Sequence, residues 1–236
     1  MDDGQQMTGV RADSANEARR QQCWRQIERA HAPGAYEALD AAYSQPHRSY
    51  HSWAHIDELL AGLERFHSLA TRPDLIAAAI FWHDAVHLAR DPDGKIRSDR
   101  QNVRDSVAAF RRHTLLEGGE AQAVEDLVMA TSDHVGARAQ TEHYPGFSDD
   151  LDLFVDLDLS PLAAPWEVFA ANTQKIRSES IGVEEAEFAA NQSKMLEGLA
   201  TGDAPVFRRA ETRAVWDATA RVNLARCIAG LRAVGR

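Results

Sequence analysis

Two pairs of histidines stand out in this chain because of their spacing. The first pair is His51 and His55, and the second is His83 and His87, with Asp84 directly after His83. On an α-helix, side chains four residues apart lie on one face about one turn apart. Two such faces turned toward each other would bring imidazoles and a carboxylate together. Imidazole and carboxylate groups are typical ligands of divalent metal ions.

Further carboxylates occur in an apolar stretch later in the chain. Asp156 and Asp158 alternate with leucines just before Ser160. A buried charge without a partner is costly, so a carboxylate in such a stretch needs a hydrogen-bonded partner or a metal. Both aspartates are therefore candidates to complete a metal site.

The other histidines have simpler interpretations. A lone histidine on a helix is more often a hydrogen-bonded structural or surface residue than a metal ligand. That interpretation applies to five of them: His31, His47, His67, His113 and His143. His134 lies near the end of a predicted helix, where it would bind a second metal or a phosphate, or interact favourably with the helix dipole.

The elements that must position these residues are helices. Apolar residues recur at helical spacing through most of the chain, and no segment has the pattern of a strand, so we expect an all-α fold. His51 and His55 fall in a helix predicted at about 50–70, and His83 and His87 in a very apolar helix predicted at about 74–88. Other helices are predicted at about 20–31, 34–44, 99–113, 120–134 and 184–199, after Asp149, from Trp166 and at about 211–231.

The composition indicates one domain in a soluble protein. The chain has 236 residues, of which residues 1–19 are polar and predicted to be a flexible tail, and residues 20–236 a single helical bundle. The net charge of −10 argues against binding to a long nucleic acid.

The expected location is cytoplasmic. No stretch resembles a secretory signal or a membrane span. The two cysteines, Cys23 and Cys227, lack metal-ligand spacing and are interpreted as reduced thiols, with a bridge between the terminal helices as the alternative. Nothing in the sequence specifies an oligomeric state.

In their order along the chain, these motifs resemble the HD-domain superfamily of metal-dependent phosphohydrolases. His55, His83-Asp84 and Asp158 are similar to its H…HD…D signature. The small bacterial predicted members of the superfamily are similar over about residues 36–231. The matching segments are 50–56, 83–86, 102–106, 130–134, 156–160 and 221–224.

A more distant likeness is to the catalytic domains of class I cyclic nucleotide phosphodiesterases. Their YHN-x-x-H, HD-x-x-H and D-L-S elements resemble the segments at 50–55, 83–87 and 158–160. Ser52 stands where those enzymes have asparagine, and their glutamine-bearing purine clamp has no counterpart. Hydrolysis of cyclic nucleotides is therefore not implied.

The resemblance implies a site in which the ligand set is His55, His83, Asp84 and Asp158. The Leu-Ser that follows Asp158 favours it over Asp156. His51 would be the proton donor, and His87 would lie just outside the ligand set. Val103 departs from the bacterial relatives, which tend to carry an acidic residue after the asparagine matched by Asn102.

The implied activity is hydrolysis of a small phosphomonoester or phosphodiester, with nucleotides among the candidates. Such a site suits Mn²⁺, Fe²⁺, Co²⁺, Zn²⁺ or Mg²⁺, and a bound ion lowers the pKa of its water toward about 7 and neutralises phosphoryl charge. Histidine is well suited to protonate the leaving alkoxide, which makes His51 a catalytic candidate. Asp84 is the other catalytic candidate, as a ligand of the ion. We expect one ion because one full ligand set is visible. A second ion bridged by Asp84 is the alternative.

Substrate contacts are expected from residues that flank the motifs, namely His87, His134, Arg48 and Lys95, with Arg90 and Arg97 as further cations. Two other classes of function stay open at this point. One is a regulatory module that uses the metal to hold a nucleotide or phosphate without turnover. The other is a helical interaction protein without a metal.

Overall fold

The all-α prediction is confirmed. The computed structural model describes residues 3–201 and 205–234, and within them the chain forms ten α-helices and no β-strand. The helices are α1 (Asp3–Ile27), α2 (Ala35–Tyr43), α3 (Trp53–Arg65), α4 (Pro73–Trp82), α5 (Asp99–His113), α6 (Gly118–Ala130), α7 (Phe147–Leu159), α8 (Trp166–Glu179), α9 (Glu185–Leu199) and α10 (Ala210–Val234).

Helix α4 lies at the centre of the hydrophobic core. It begins at Pro73, a residue suited to the first turn of a helix, and every residue from Leu75 to Trp82 is buried. A helix that is apolar on all sides needs neighbours on all sides, and α4 packs against α1, α3, α5, α6 and α7. His83 follows α4 directly, so one candidate ligand is positioned by the most buried element of the fold.

The start of α4 is joined to α7 by a buried carboxylate. Asp150, in the first turn of α7, is fully buried and accepts hydrogen bonds from the backbone N–H groups of Thr71 and Arg72, both at 2.8 Å. Gly146 precedes α7 with φ +90°, and a Cβ atom there would lie 2.7 Å from Thr71 Oγ1. This close approach aligns the helix that leads to His83 with the helix that carries the two aspartates.

One helix begins later and another ends sooner than their apolar spacing predicts, and both of these ends lie at the candidate site. Helix α3 begins at Trp53, after His51, and α4 ends at Trp82, before His83 and His87. The prediction that each histidine pair shares a helical face is therefore wrong. Ser52, which precedes α3, has extended backbone angles. After His83, the carbonyl oxygens of Asp84 and Ala85 accept hydrogen bonds from Arg48.

At the N-terminus, the structure extends helix α1 back to Asp3, within the segment predicted as a flexible tail. The glutamine, alanine and arginine residues of this segment favour helix, which accounts for the extension. Met1 and Asp2 lie outside the described residues. One contiguous core then runs from Trp24 in α1 to Ile228 in α10.

Two further predictions concern the cysteines and the membrane. Cys23 and Cys227 are free thiols, as predicted. No helix in the described part of the chain combines the length and the apolar character that crossing a membrane requires.

Candidate metal centre

The four predicted ligands converge from three separate parts of the fold. His55 lies in the first turn of α3, His83 and Asp84 follow α4, and Asp158 lies in the last turn of α7. His55 and His83 are buried, and the side chain of Asp158 is 10% exposed. Three helices that pack in one core therefore bring together residues more than 100 positions apart in the chain.

The donor atoms of this cluster face one another closely. The two Nε2 atoms of His55 and His83 lie 3.3 Å apart. Asp84 Oδ2 lies 3.1 Å from His83 Nε2 and 3.7 Å from His55 Nε2. Asp158 Oδ1 lies 3.2 Å from His55 Nε2 and 3.5 Å from His83 Nε2. Donor atoms of His55, His83 and Asp84 are thus close enough together to hold one ion, and Asp158 lies against the two imidazoles.

This geometry fits a divalent metal ion. Ligands about 2.1 Å from one ion are separated by roughly 3.0 Å in octahedral and roughly 3.4 Å in tetrahedral coordination, close to the distances observed. The Nδ1–H of His83 donates to the carbonyl oxygen of Ile80 at 2.9 Å, which leaves a lone pair on Nε2 for a cation. His55 Nδ1 is buried without a hydrogen-bond partner, and its ring packs against Tyr50 at a centroid distance of 5.0 Å. The group can hold an ion.

Without an ion, the charges in the cluster support each other. Burial alone would lower the pKa of His83, but Asp84 and Asp158 raise it well above its usual value. Burial alone would raise the pKa values of Asp84 and Asp158, yet the neighbouring imidazoles lower both. The carboxylates therefore favour a proton on the imidazole of His83. A metal ion would compete with this proton for the lone pair on Nε2.

Of the two competing aspartates, it is Asp158 that lies against the histidines. Asp156 is fully buried on another side of α7, where its carboxylate accepts hydrogen bonds from the backbone N–H groups of Arg208 at 2.7 Å and Arg209 at 2.8 Å, and from Thr212 Oγ1 at 2.5 Å. Burial raises the pKa of Asp156 to about 6, although these three donors oppose the shift. Asp156 anchors the start of α10, which leaves Asp158 as the fourth donor.

His51, the predicted proton donor, is paired with a glutamate that sequence reasoning missed. Its Nδ1–H donates to Glu179 Oε2, at the end of α8. Glu179 Oε1 accepts the backbone N–H groups of Tyr50 at 2.6 Å and His51 at 3.0 Å, and the carboxylate side chain is 1% exposed. The one available signal was a glutamate in the last turn of a helix, where the dipole disfavours negative charge unless another partner binds it.

The environment of His51 favours its charged form. Burial would lower the pKa of His51, but the carboxylates of Asp84 and Glu179 raise it above its usual value. Burial would raise the pKa of Glu179, and the hydrogen bond from His51 lowers it instead. A protonated imidazole beside the metal-ligand cluster is the form a proton donor requires.

His87 lies on the other face of the His51 ring. The two rings stack with centroids 3.7 Å apart and an angle of 23°, and His87 Nε2 lies 3.5 Å from Glu179 Oε2. These three residues are close enough together to be considered as metal ligands. However, the nitrogen lone pairs lie in the planes of the two imidazole rings. Because the rings are stacked, these planes converge only at a distance too long for both nitrogens to bind one ion. Burial and the positive charge of His51 lower the pKa of His87 to about 3, so a charge on the His51 ring disfavours a charge on the His87 ring.

His134 is placed beside the fourth ligand. Its Nε2 lies 2.7 Å from Asp158 Oδ2, the oxygen that does not face His55 and His83 most closely. A side chain in this position orients the carboxylate and also lines the cavity described below.

Arg48, which was predicted to bind substrate, instead binds backbone carbonyl groups. Its guanidinium is buried and donates to the carbonyl oxygens of Asp84 at 2.6 Å, Ala85 at 3.0 Å and His51 at 3.2 Å, and its Nε donates to Gln45 Oε1 at 3.0 Å. Four of its five N–H donors are therefore used within the protein. The prediction is corrected: Arg48 joins the two motif segments and does not line the cavity.

Lys95 is also outside the site. It lies in an exposed turn that is closed by a β-bridge between Arg90 and Ile96, and Lys95 itself does not line the cavity. Arg97 lines the cavity instead, but its guanidinium is paired with Asp105 and with Asn102 Oδ1, the latter at 2.8 Å. The turn does not supply the substrate contact predicted for Lys95.

A cavity of about 930 Å³ opens in front of the ligands. Its lining includes His51, His55, Asp84 and Asp158, together with side chains of α8 and α9. Pockets for small molecules commonly have volumes of roughly 300–1,000 Å³, so a ligand of substantial size fits here.

Comparison with known proteins gave no assignment. No protein-family model matches the chain, and no curated protein matches it.

Proposed function

We propose that the protein is a divalent-metal-dependent phosphohydrolase that cleaves a small phosphate ester. The observation that carries the proposal is that four candidate metal donors and a histidine–glutamate pair lie together beside a large cavity. The resemblance of these motifs to HD-domain phosphohydrolases supports the same class of reaction.

In this proposal, His55, His83, Asp84 and Asp158 would hold the ion. When bound, the ion would supply a water of lowered pKa and would neutralise charge on a phosphoryl oxygen. Mn²⁺, Fe²⁺, Co²⁺, Zn²⁺ and Mg²⁺ all accept such a mixed nitrogen and oxygen ligand set.

The chain itself would supply the proton for the leaving group. Glu179 holds the Nδ1–H of His51, so Nε2 is the nitrogen that would donate to the leaving alkoxide. The stacked, neutral ring of His87 keeps His51 in position, and Arg48 fixes the backbone on either side. His134 keeps Asp158 oriented.

A second candidate is a module that binds metal and phosphate without turnover. It is favoured by Val103, which is buried and lines the cavity where the bacterial relatives that the chain resembles tend to carry an acidic residue. Both candidates require the metal, so they differ only in hydrolysis.

The test begins with elemental analysis of protein purified without chelator or metal-affinity tag. We expect near-stoichiometric metal in the wild type, loss in Asp84→Ala, and retention in His51→Ala. His143→Gln is a matched control, because His143 pairs with Asp126 away from the cavity.

Hydrolysis is then assayed with p-nitrophenyl phosphate and bis(p-nitrophenyl) phosphate in the presence of the identified ion. We expect His51→Ala to lower the rate by about 100-fold or more, the usual contribution of a general acid. Phosphate binding without turnover in the wild type would favour the module. Failure to bind metal, both on purification and on titration, would refute both candidates.

A further inference from the structure

One region of the cavity wall carries many apolar side chains. Its side chains come from the end of α7, the turn that follows it, α8 and α9, and they include Leu159, Leu162, Phe169, Ile176, Phe188 and Met195. An apolar wall of this extent gains free energy by covering an apolar surface. A phosphate ion alone, bound at the metal ligands, would leave it uncovered.

Three side-chain amides from α8 and α9 line the cavity among these apolar groups, and one of them, Asn191, is exposed. Asn172 in α8 and Gln192 in α9 are half-buried and line the cavity. Neither side chain has a hydrogen-bond partner among the residues that the structure describes. Polar groups placed in an otherwise apolar pocket usually bind a complementary polar edge of the ligand.

The charges around the cavity limit the number of phosphates. Among the described residues, five carboxylates line it, namely Asp84, Asp99, Asp133, Asp158 and Glu179, and two permanent cations, Arg97 and Lys194. The Arg97 charge is already paired with Asp105, and Lys194 is exposed on α9. A metal ion and a protonated His51 would serve one phosphate group. A second phosphate would face carboxylates without an available buried cation.

We infer that the cavity takes an ester with a single phosphate group on a bulky, uncharged and largely apolar body, whose polar edge is bound by Asn172 and Gln192. This inference rests on the proposed function for the position of the phosphate. The size and character of the body follow from the apolar region of the cavity wall alone.

The test uses phosphonates, which cannot be hydrolysed, so that binding is measured independently of turnover. Calorimetric titration of the metal-loaded protein would compare methylphosphonate, 1-naphthylmethylphosphonate and a naphthalene bis(methylphosphonate). We expect the naphthyl compound to bind roughly 70-fold more tightly than methylphosphonate, from about 100 Å² of buried apolar surface. The bis-phosphonate should bind more weakly than the naphthyl compound. Equal affinities for methyl and naphthyl compounds, or preference for two phosphonates, would overturn the inference.

A matched pair of variants tests the wall itself. Met195 lines the cavity and Val168 in α8 does not, and both side chains are 47% exposed, so lysine can replace either without entering the core. Met195→Lys should weaken naphthyl binding and strengthen bis-phosphonate binding, whereas Val168→Lys should do neither. Identical behaviour of the two variants would contradict the assignment of the wall.

The amides are tested with a quinolone-methylphosphonate, which adds a carbonyl and an N–H group to the fused ring. We expect it to bind more tightly than the naphthyl compound to the wild type and to lose that advantage in Asn172→Leu and Gln192→Leu. Gln174→Leu is the control, since Gln174 is exposed on α8 and does not line the cavity. An advantage that persists in both variants would refute the role of the amides.

The phosphonate titrations and the hydrolysis assay can fail separately. Selective binding of the naphthyl compound, with no cleavage of 1-naphthyl phosphate, would refute the proposed function and leave this inference standing. Cleavage of small esters without selective phosphonate binding would refute the inference and leave the function standing.

Discussion

Replacement of Glu179 by glutamine isolates the role of the histidine–glutamate pair. Glutamine has nearly the same shape, and its oxygen can still accept the backbone N–H groups of Tyr50 and His51. The change removes the negative charge that receives the His51 Nδ1–H. Glu179→Gln therefore alters the proton donor while the surrounding backbone keeps its partners.

The magnitude follows from the type of contact that is lost. A hydrogen bond to a charged group contributes about 2 kcal/mol, so kcat/KM for a phosphate ester should fall by about 30-fold. Without the carboxylate, the pKa of His51 should fall, because Glu179 is one of the groups that raise it. The alkaline limb of the pH–rate profile should then move to lower pH. Metal content should stay unchanged, since Glu179 does not contact the four predicted ligands.

The assay measures kcat/KM between pH 5 and pH 9, with elemental analysis and urea unfolding on the same samples. Glu184→Gln is the control, because this glutamate directly precedes α9, is exposed and does not line the cavity. A change of less than about threefold in Glu179→Gln would refute the proton-donor role of the pair, because a charge-assisted contact is worth more than that. Loss of metal in this variant would also contradict the assignment of ligands.

Three other predictions concern the site and its support. Arg48→Met should lower the free energy of unfolding by about 3 kcal/mol in a urea titration, because it leaves buried carbonyl groups without donors; an unchanged midpoint would contradict the proposed role. Metal affinity measured calorimetrically should rise from pH 6 to pH 8 with release of protons, since the raised pKa of His83 means that a proton competes with the ion. Affinity that is independent of pH would count against this competition. Burial lowers the pKa of His31, whose Nε2 accepts the Trp82 indole N–H, so the unfolded chain binds its proton more readily. Stability should therefore fall as the pH drops below about 6.5, more in the wild type than in His31→Gln, as measured by urea unfolding.

Much of the fold could be predicted because helical periodicity is a local property. The helix at 99–113 was predicted with the bounds observed for α5, whose capping box at Ser98 and Gln101 marks its start. The central position of α4 followed from its uninterrupted apolar composition. Periodicity failed at helix ends near the site, where bonds from the Arg48 guanidinium replace helical hydrogen bonds.

The candidate site was predictable in its residue types and less so in its partners. His55, His83, Asp84 and Asp158 were selected from the sequence and its resemblance to a family, and the structure brings their donor atoms together. That these four residues bind a metal ion is a prediction, which the elemental analysis tests. Glu179 was missed because it is 128 residues from His51, and only the packing of α8 against the motif segments brings the two together.

The sequence by itself determined an all-helical chain, a central apolar helix and a set of imidazoles and carboxylates suited to a divalent ion. These features depend on composition and on spacing within a few residues. The tertiary structure alone decided that Asp156 binds the start of α10, that Arg48 binds backbone rather than substrate, and that side chains of α8 and α9 line the cavity. Each of these depends on which distant segments meet, and the free energy of that packing is shared across the whole core rather than encoded at any one position.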